Sequence, residues 1–412
     1  MARTIAVAAV QLAAHSRASF PHAWPRIRSR IESAAAGGAR LIVLPEGTLP
    51  AYVLGYRPYD ESEIESALRE CEALARERKV VLVIGVARKE GSHVYNSAMV
   101  IDTNGKVAGC ADKQFLWHFD RQWFTAGRTI APVPTELGRI GALVCADGRI
   151  PTIASTLADR GAELLVMPTA WVTSGRDPEN FENVQADLLA RVRAKENGVP
   201  FVAANKCGVE LRCVAYCGKS QIIDAAGDVI ALASQDAEET IAGTIALGPA
   251  RSARTPGRSG GFAWDTQTRV AVAARAEHPG DAELLRIVEA DVLLHAHAEE
   301  ALTDDDMLDP RRMAKLRISG ATMVLWRTSL EARWQLAFAR ARALELRIYV
   351  AVIDAAASRA YAVDPDGALL CGTFGDYELA SFTFDPLKTR QTAVAPGTDV
   401  LEGLERACEH AT

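Results

Sequence analysis

Little in this sequence points toward a membrane, a nucleic acid or an oxidising compartment. Aromatic residues make up only 6% of the chain, and no apolar run approaches the roughly 18 residues that a membrane-spanning helix requires. Contact with a bilayer is therefore not expected. There is no basic stripe: 46 Lys and Arg are interspersed with 52 Asp and Glu, for a net charge of -6, and nucleic acid is left without an electrostatic footprint. The expected partner is a small molecule, uncharged or mildly polar. The opening "MARTIAVAAVQLAA" is a poor signal peptide, with a short apolar run and one arginine before it, and its β-branched residues read as a first strand. Eight cysteines in 412 residues form no regular framework, which predicts reduced thiols and a cytoplasmic location. Cys207, Cys213 and Cys217 lie close together but lack C-x-x-C pairs and a nearby histidine. His295 and His297 in "LLHAHAEEA" alternate along an expected strand with no third ligand in view. Neither a metal site nor a cofactor is expected.

What is present describes a soluble protein long enough for two domains, 49% hydrophobic and 24% charged. Short apolar runs at 5–10, 41–44, 80–86, 98–102, 140–145, 164–167 and 201–205 read as strands. Between them, 23–36, 62–78, 151–160 and 181–197 carry the spacing of amphipathic helices. "DTNGK" at 102–106 and "DAAGD" at 224–228 read as turns. The alternation predicts an α/β fold with helices packed on sheets.

Three polar residues stand at strand ends. Glu46 follows "LIVLP", Lys113 follows "GCAD", and Cys145 follows "IGALV". Taken singly, the acid reads as a turn residue, the lysine as a solvated one, and the cysteine as a small hydrophobe. The carboxyl ends of strands are where open α/β sheets collect ligand sites, and an acid, a base and a thiol together form a nucleophilic set.

Here the sequence resembles the nitrilase superfamily of carbon-nitrogen hydrolases. "RLIVLPEGTLPAY" is similar to the family's glutamate segment, "DKQFL" to its lysine segment and "VCADGRIP" to its nucleophile segment. "GAELLVMPTAW", "RAKENGVPFVAANKCG" and "GKSQIIDAAGDVI" follow in the family's order. The resemblance implies an αββα sandwich and a catalytic triad of Glu46, Lys113 and Cys145. In the chemistry it implies, Glu46 is the base for a thiol whose ordinary pKa leaves it protonated at neutral pH. Lys113 and the backbone N–H of Ala146 meet the oxyanion. Asp120 stands near the family's second glutamate and is one methylene shorter. Tyr52, Trp117 and Trp171 are candidates for supporting the site or binding substrate. Trp117, His118, Trp123 and Phe124 can equally be read as packing their own loop. Thr152 replaces the usual acid after the nucleophile segment, Asp147 favours amides over nitriles by analogy, and Arg149 reads as a structural ion-pair partner.

The expected division is a catalytic domain at 1–250, a linker at 251–261 rich in Arg, Gly, Ser and Pro, and 262–412 as a smaller, degenerate nitrilase-like α/β domain without catalysis. The second half repeats the first in shortened form: "TRVAVAARAE" matches "RTIAVAAVQL", and "RARALELRIYVAVIDAAA" matches "RVRAKENGVPFVAANKCG". On that alignment His297 falls at the place of Glu46, and Lys113 and Cys145 have no visible counterpart. Such a copy would fill the family's pairing face from within, an intramolecular pseudo-dimer that leaves the chain a monomer or a low-order homo-oligomer. The expected function is a thiol amidase cleaving a non-peptide C–N bond of a small linear amide or carbamoyl compound. The alternatives are a nitrilase or acyltransferase using the same triad, or a non-catalytic binding protein.

Overall fold

The structure is a computed structural model that describes residues 3–177, 179–248, 260–275, 280–373 and 379–411. It forms two compact units, Met1–Ser252 with Ala407–Thr412, and Ala253–Arg406. The expected linker lies outside the described residues except for its last two positions.

The first unit starts with β1 (Arg3–Ala13), α1 (Phe20–Ala36), β2 (Leu41–Val43), α2 (Glu65–Arg78), β3 (Val81–Glu90), β4 (His93–Ile101) and β5 (Val107–Asp112). It continues through β6 (Val133–Thr135), β7 (Gly138–Ala142), α3 (Pro151–Asp159), β8 (Leu164–Pro168), α4 (Ala190–Asn197), β9 (Phe201–Ala204), β10 (Lys206–Glu210) and β11 (Val214–Cys217). The last strands are β12 (Gln221–Ile223), β13 (Val229–Leu232) and β14 (Glu239–Leu247). One sheet runs β11-β10-β1-β2-β3-β4-β5 with β14 also paired to β1; the other runs β13-β12-β9-β8-β7-β6.

The central strands read as unbroken apolar runs because both of their faces are covered. Ala8, Val10, Ile42, Leu82 and Ile84 pack outward with α1 residues Trp24, Ile27 and Ile31 and α2 residues Ala67, Cys71 and Leu74. That helical spacing turns one stripe of each helix inward, and each large aliphatic side chain so buried contributes about 1.5–3 kcal/mol. The other faces of the same strands, Val7, Val43, Val81 and Val83 among them, are equally buried. α2 ends on Lys79 in the left-handed conformation. The helix expected over 181–197 begins as a π-helical turn, Gln185–Leu189, before becoming α4.

The second unit is built from β15 (Thr268–Ala273), α5 (Asp281–Ile287), β16 (Val292–His295), α6 (Asp304–Met307), α7 (Pro310–Ile318), β17 (Met323–Arg327) and α8 (Ala332–Leu346). β18 (Tyr349–Asp354), β19 (Arg359–Val363), β20 (Leu369–Gly372) and β21 (Leu379–Phe384) follow. Its sheets, β16-β15-β21 and β17-β18-β19-β20, bury Val270, Val272, Leu325, Tyr349 and Phe382 in one cluster. His295 ends its strand, and His297 lies in the following turn, exposed, its N–H donating to His295 Nδ1 at 3.2 Å. Among the described residues no group of three His, Cys, Asp or Glu is placed to hold a metal ion.

Candidate active site

Glu46 leaves the end of β2 on a segment that crosses the first sheet at van der Waals range. A side chain at Gly85 on β3 would put Cβ 2.3 Å from the Pro45 carbonyl oxygen and 2.5 Å from the Glu46 Cα, so only glycine allows this path. Lys113 leaves β5 with its N–H bonded to Asn96 O at 2.8 Å. The two side chains meet with no exposure to water, Lys113 Nζ 2.8 Å from Glu46 Oε1. Asp120, equally buried, places Oδ2 at 2.6 Å from the same ammonium. Burial alone would lower the lysine's affinity for its proton, but the carboxylates of Asp120 and Glu46 outweigh it and hold the group well above its ordinary range.

Each partner is itself tied. Asn96 Nδ2 donates to Glu46 Oε1 at 2.6 Å, while Glu46 Oε2 is buried with no hydrogen bond. Tyr52 OH donates to Asp120 Oδ1 at 2.8 Å, and the Trp117 N–H donates to Asp120 Oδ2 at 2.8 Å. The carboxylate thus has one free oxygen on Glu46 and none to spare on Asp120.

Cys145 is expected at the end of a strand running to 145, but β7 stops at Ala142. Leu143 still bonds Val166 O at 2.9 Å; the chain then leaves the sheet, and Cys145 opens a short helical turn to Arg149. The apolar run misled because Leu143 and Val144 are buried outside the ladder. Cys145 adopts φ 46°, a left-handed conformation that costs a non-glycine residue about 1–3 kcal/mol and is concentrated at functional sites. Burial and the Glu46 charge push its thiol up, against a lowering pull from Lys113. Any attack by this sulfur would need a base to take its proton. The Ala146 N–H is among the first of the turn and has no carbonyl within the turn to bond.

Asp147 was read from the sequence only as a clue to substrate. Its carboxylate instead accepts the N–H groups of Gln114 at 3.0 Å, Phe115 at 2.8 Å and Val144 at 3.0 Å, so it ties the lysine segment to the nucleophile turn. Burial pushes it up to about 7, against the pull of those N–H donors. Arg149 also departs from expectation. No carboxylate among the described residues pairs with it; its guanidinium lies over the Trp117 ring, 4.6 Å from the centroid, with Nε buried and unbonded. Burial lowers it to about 10. The neutral Thr152 brings no acid to it. Trp171 is buried, held by its N–H to Asn205 Oδ1 at 2.8 Å, with Nε1 unbonded. Phe124 lies in the outer core with Trp123 packed against it.

Asn96 and Asn205 escaped sequence reasoning. The signal was available: each is a polar residue within or just after an apolar strand, in "HVYNSAMV" and "FVAANKCG".

The sequence model of the carbon-nitrogen hydrolases matches residues 6–255. A "probable nitrilase" of Schizosaccharomyces pombe is 31% identical over 220 residues, 52% of this chain and 78% of that protein. A citrullinase of Francisella tularensis is 26% identical, over 58% of this chain and 88% of its own length. The crystal structure of an amidase from Nesterenkonia sp. superposes with a TM-score of 0.53 at 25% identity, covering 60% of this chain and 90% of that one.

Proposed function

The chain belongs to the carbon-nitrogen hydrolase family, and from that premise we propose that it is a thiol hydrolase that cleaves the C–N bond of a small linear amide or carbamoyl compound through an acyl-cysteine. The observation that carries the reading is the buried array of Glu46, Lys113 and Asp120, with one Glu46 oxygen left unbonded and the charges of Glu46 and Lys113 acting on Cys145.

In the proposed cycle Glu46 takes the Cys145 proton as sulfur attacks the carbonyl carbon. The C=O electron pair moves onto oxygen, where the Lys113 ammonium and the Ala146 N–H receive it. Collapse of the adduct expels the amine or ammonia, which leaves with the proton held by Glu46. Water then attacks the thioester, giving its proton to the same carboxylate, and the thiolate recovers a proton on release. Asp120 fixes the lysine throughout and is not asked to transfer a proton. The names of the relatives, nitrilase, citrullinase and amidase, span the substrates that such an acyl-enzyme serves, and acyl transfer to an amine would use the same intermediate.

Arg149 refines the substrate. A half-buried guanidinium whose Nε is sealed from water and unbonded, with no carboxylate partner among the described residues, favours a substrate that carries an anionic group over the neutral one first expected. For the second unit we keep the reading of a non-catalytic copy.

The test is a panel of amides, ureido acids and nitriles, each amide offered with and without a terminal carboxylate, scored for ammonia and for acyl mass on Cys145. Ammonia with an acyl adduct supports the reading, and a preference for the carboxylate form supports the role of Arg149. No ammonia and no adduct from a chain with reduced Cys145 would favour a binding protein.

A further inference from the structure

Beneath the loop that carries Tyr52 lies a layer of charge that the proposed chemistry does not use. Lys206 and Glu210, both on β10, are withdrawn from water, with Lys206 Nζ 3.3 Å from Glu210 Oε2. Removing two charges from water costs more than a single contact at that distance returns, and well-packed apolar residues would serve stability as well or better. The pair therefore calls for a reason of position.

Its bonds supply one. The Glu210 carboxylate accepts Tyr216 OH at 2.7 Å on one oxygen and the Val53 N–H at 3.1 Å on the other. One buried side chain thus grips both β11 and the residue after Tyr52. His15 grips the same loop further back: burial and the nearby Lys206 charge push it down to about 3, and its Nε2 lies 3.1 Å from Thr48 O. The Tyr52 ring meets Tyr216 edge-on at 6.4 Å. Its hydroxyl reaches Asp120 Oδ1 at 2.8 Å, and Asp120 Oδ2 holds Lys113 at 2.6 Å.

We infer that Glu210, acting through Val53 and Tyr216, is a positioning residue that fixes the Tyr52 hydroxyl on Asp120 and so aims the Lys113 ammonium at the substrate oxygen. The inference rests on the reading above, in which Lys113 polarises the carbonyl. Glu210 touches no reacting atom; it removes freedom from a loop whose hydroxyl must stay within hydrogen-bond range of a carboxylate that, among the described residues, has no other side-chain donor besides the lysine.

The experiment uses the full chain and acrylamide as probe, an amide whose alkylation of Cys145 is followed by peptide mass, together with steady-state kinetics on the best amide of the panel. Glu210→Gln and Tyr52→Phe are each expected to slow alkylation about tenfold or more, the scale of a small misplacement, and to lower kcat with KM little changed. The decisive arm is the double variant. If Glu210 acts through Tyr52, Glu210→Gln/Tyr52→Phe is no slower than Tyr52→Phe alone. Multiplying losses, or a Glu210→Gln chain as fast as the unaltered one, overturns the inference. Should Glu210→Gln leave Lys206 uncompensated and unfold the chain, Lys206→Met/Glu210→Gln removes both charges and enters the same cycle. An unaltered chain that alkylates but releases no ammonia from any substrate would sink the hydrolase reading alone, and the alkylation cycle would still decide the role of Glu210.

Discussion

In the first unit β1 pairs in parallel with β2 and antiparallel with β14; in the second, β15 pairs in parallel with β16 and antiparallel with β21. The other sheets match as well. β8 and β9 are parallel, with β12 and then β13 added antiparallel, and β17, β18, β19 and β20 repeat that order. Single residues match too. Buried Arg193 pairs with Glu196 three residues on and donates from Nε to Gly148 O at 3.0 Å; buried Arg342 pairs with Glu345 and donates from Nε to Met307 O at 2.9 Å. Gly148 and Met307 therefore occupy one place. Three residues before each stand Cys145 and Asp304.

A second bond fixes that register. Asp147 Oδ2 accepts the Val144 N–H at 3.0 Å, and Asp306 Oδ2 accepts the Thr303 N–H at 2.8 Å. The place of Cys145 thus has an occupant in the second unit, which the sequence alignment did not reveal. Asp304 accepts Trp326 Nε1 at 3.0 Å, the Ser329 N–H at 3.1 Å and Ser329 Oγ at 2.9 Å. It begins an α-helical turn, where Cys145 holds its left-handed φ. Between β2 and Cys145 the first unit inserts α2 and β3 to β7, with Asn96, Lys113 and Asp120 in that stretch; between β16 and Asp304 the second has only turns and a single β-bridge, Leu302 to Trp326. The other oxygen of the shared aspartate shows the consequence. In the first unit it holds the lysine segment through Gln114 and Phe115, whereas in the second it faces Arg312 Nε at 2.6 Å. The pairings around β1 and β9 sustain a fold without the insert, and the proposed chemistry draws on the insert. Backbone strain is kept where the thiol is kept.

The sharpest test sets Cys145 against Asp304. Cys145→Ala is expected to lower turnover by a factor of about a thousand or more, and Asp304→Ala to leave it unchanged, both by ammonia release. Activity lost with Asp304 would make the second unit a participant and break the comparison. Lys113→Ala is also expected to be inactive in that assay while its thiol still reacts slowly with alkylating reagents; unaltered turnover would remove the lysine from the scheme.

The matched arginines give the next largest effect. Arg193→Met and Arg342→Met each remove the arginine that pairs with a buried glutamate, a loss of about 3–5 kcal/mol. Each is expected to lower the unfolding transition of its own unit in calorimetry, with Arg342→Met sparing turnover. A single shared transition lowered equally by both would show that the units do not melt separately.

The shared aspartate gives the smallest. Asp147→Asn turns one acceptor into a donor facing the Val144 N–H, at about 1–3 kcal/mol, and loosens the lysine segment; Asp306→Asn loosens none. Asp147 also has a pH signature. Its carboxyl is raised from the ordinary range to about 7, so between those limits the folded chain holds a proton that the unfolded chain has released. Its contribution to stability therefore falls as pH rises through that window. Asp147→Asn is expected to flatten the decline in denaturant midpoints, and an unchanged slope would assign it to other groups.

Glu46, Lys113 and Cys145 could be singled out because each sits in a short segment of its own, an acid after "LIVLP", a lysine after "GCAD", a thiol after "IGALV". Helices packed on sheets followed from apolar runs alternating with amphipathic spacing, and the αββα layering from the family resemblance alone. What escaped depends on chain segments far apart. Asn96 matters through Glu46, 50 residues away, and Glu210 through Val53, 157 residues away. Asp304 was hidden because its segment shares with that of Cys145 only the aspartate two residues on, and it is placed by the bonds of that aspartate and of the matched arginines.

The complete withdrawal of Lys113, Glu46 and Asp120 from water has a consequence for ionic strength. Dissolved ions weaken interactions between charges they can surround, and here there is no approach for them. The rate of thiol attack is expected to hold steady as salt is raised, while capture of an anionic substrate, which begins in solution, weakens. The molecule would meet its substrate on terms set by the medium and transform it on terms set by its interior.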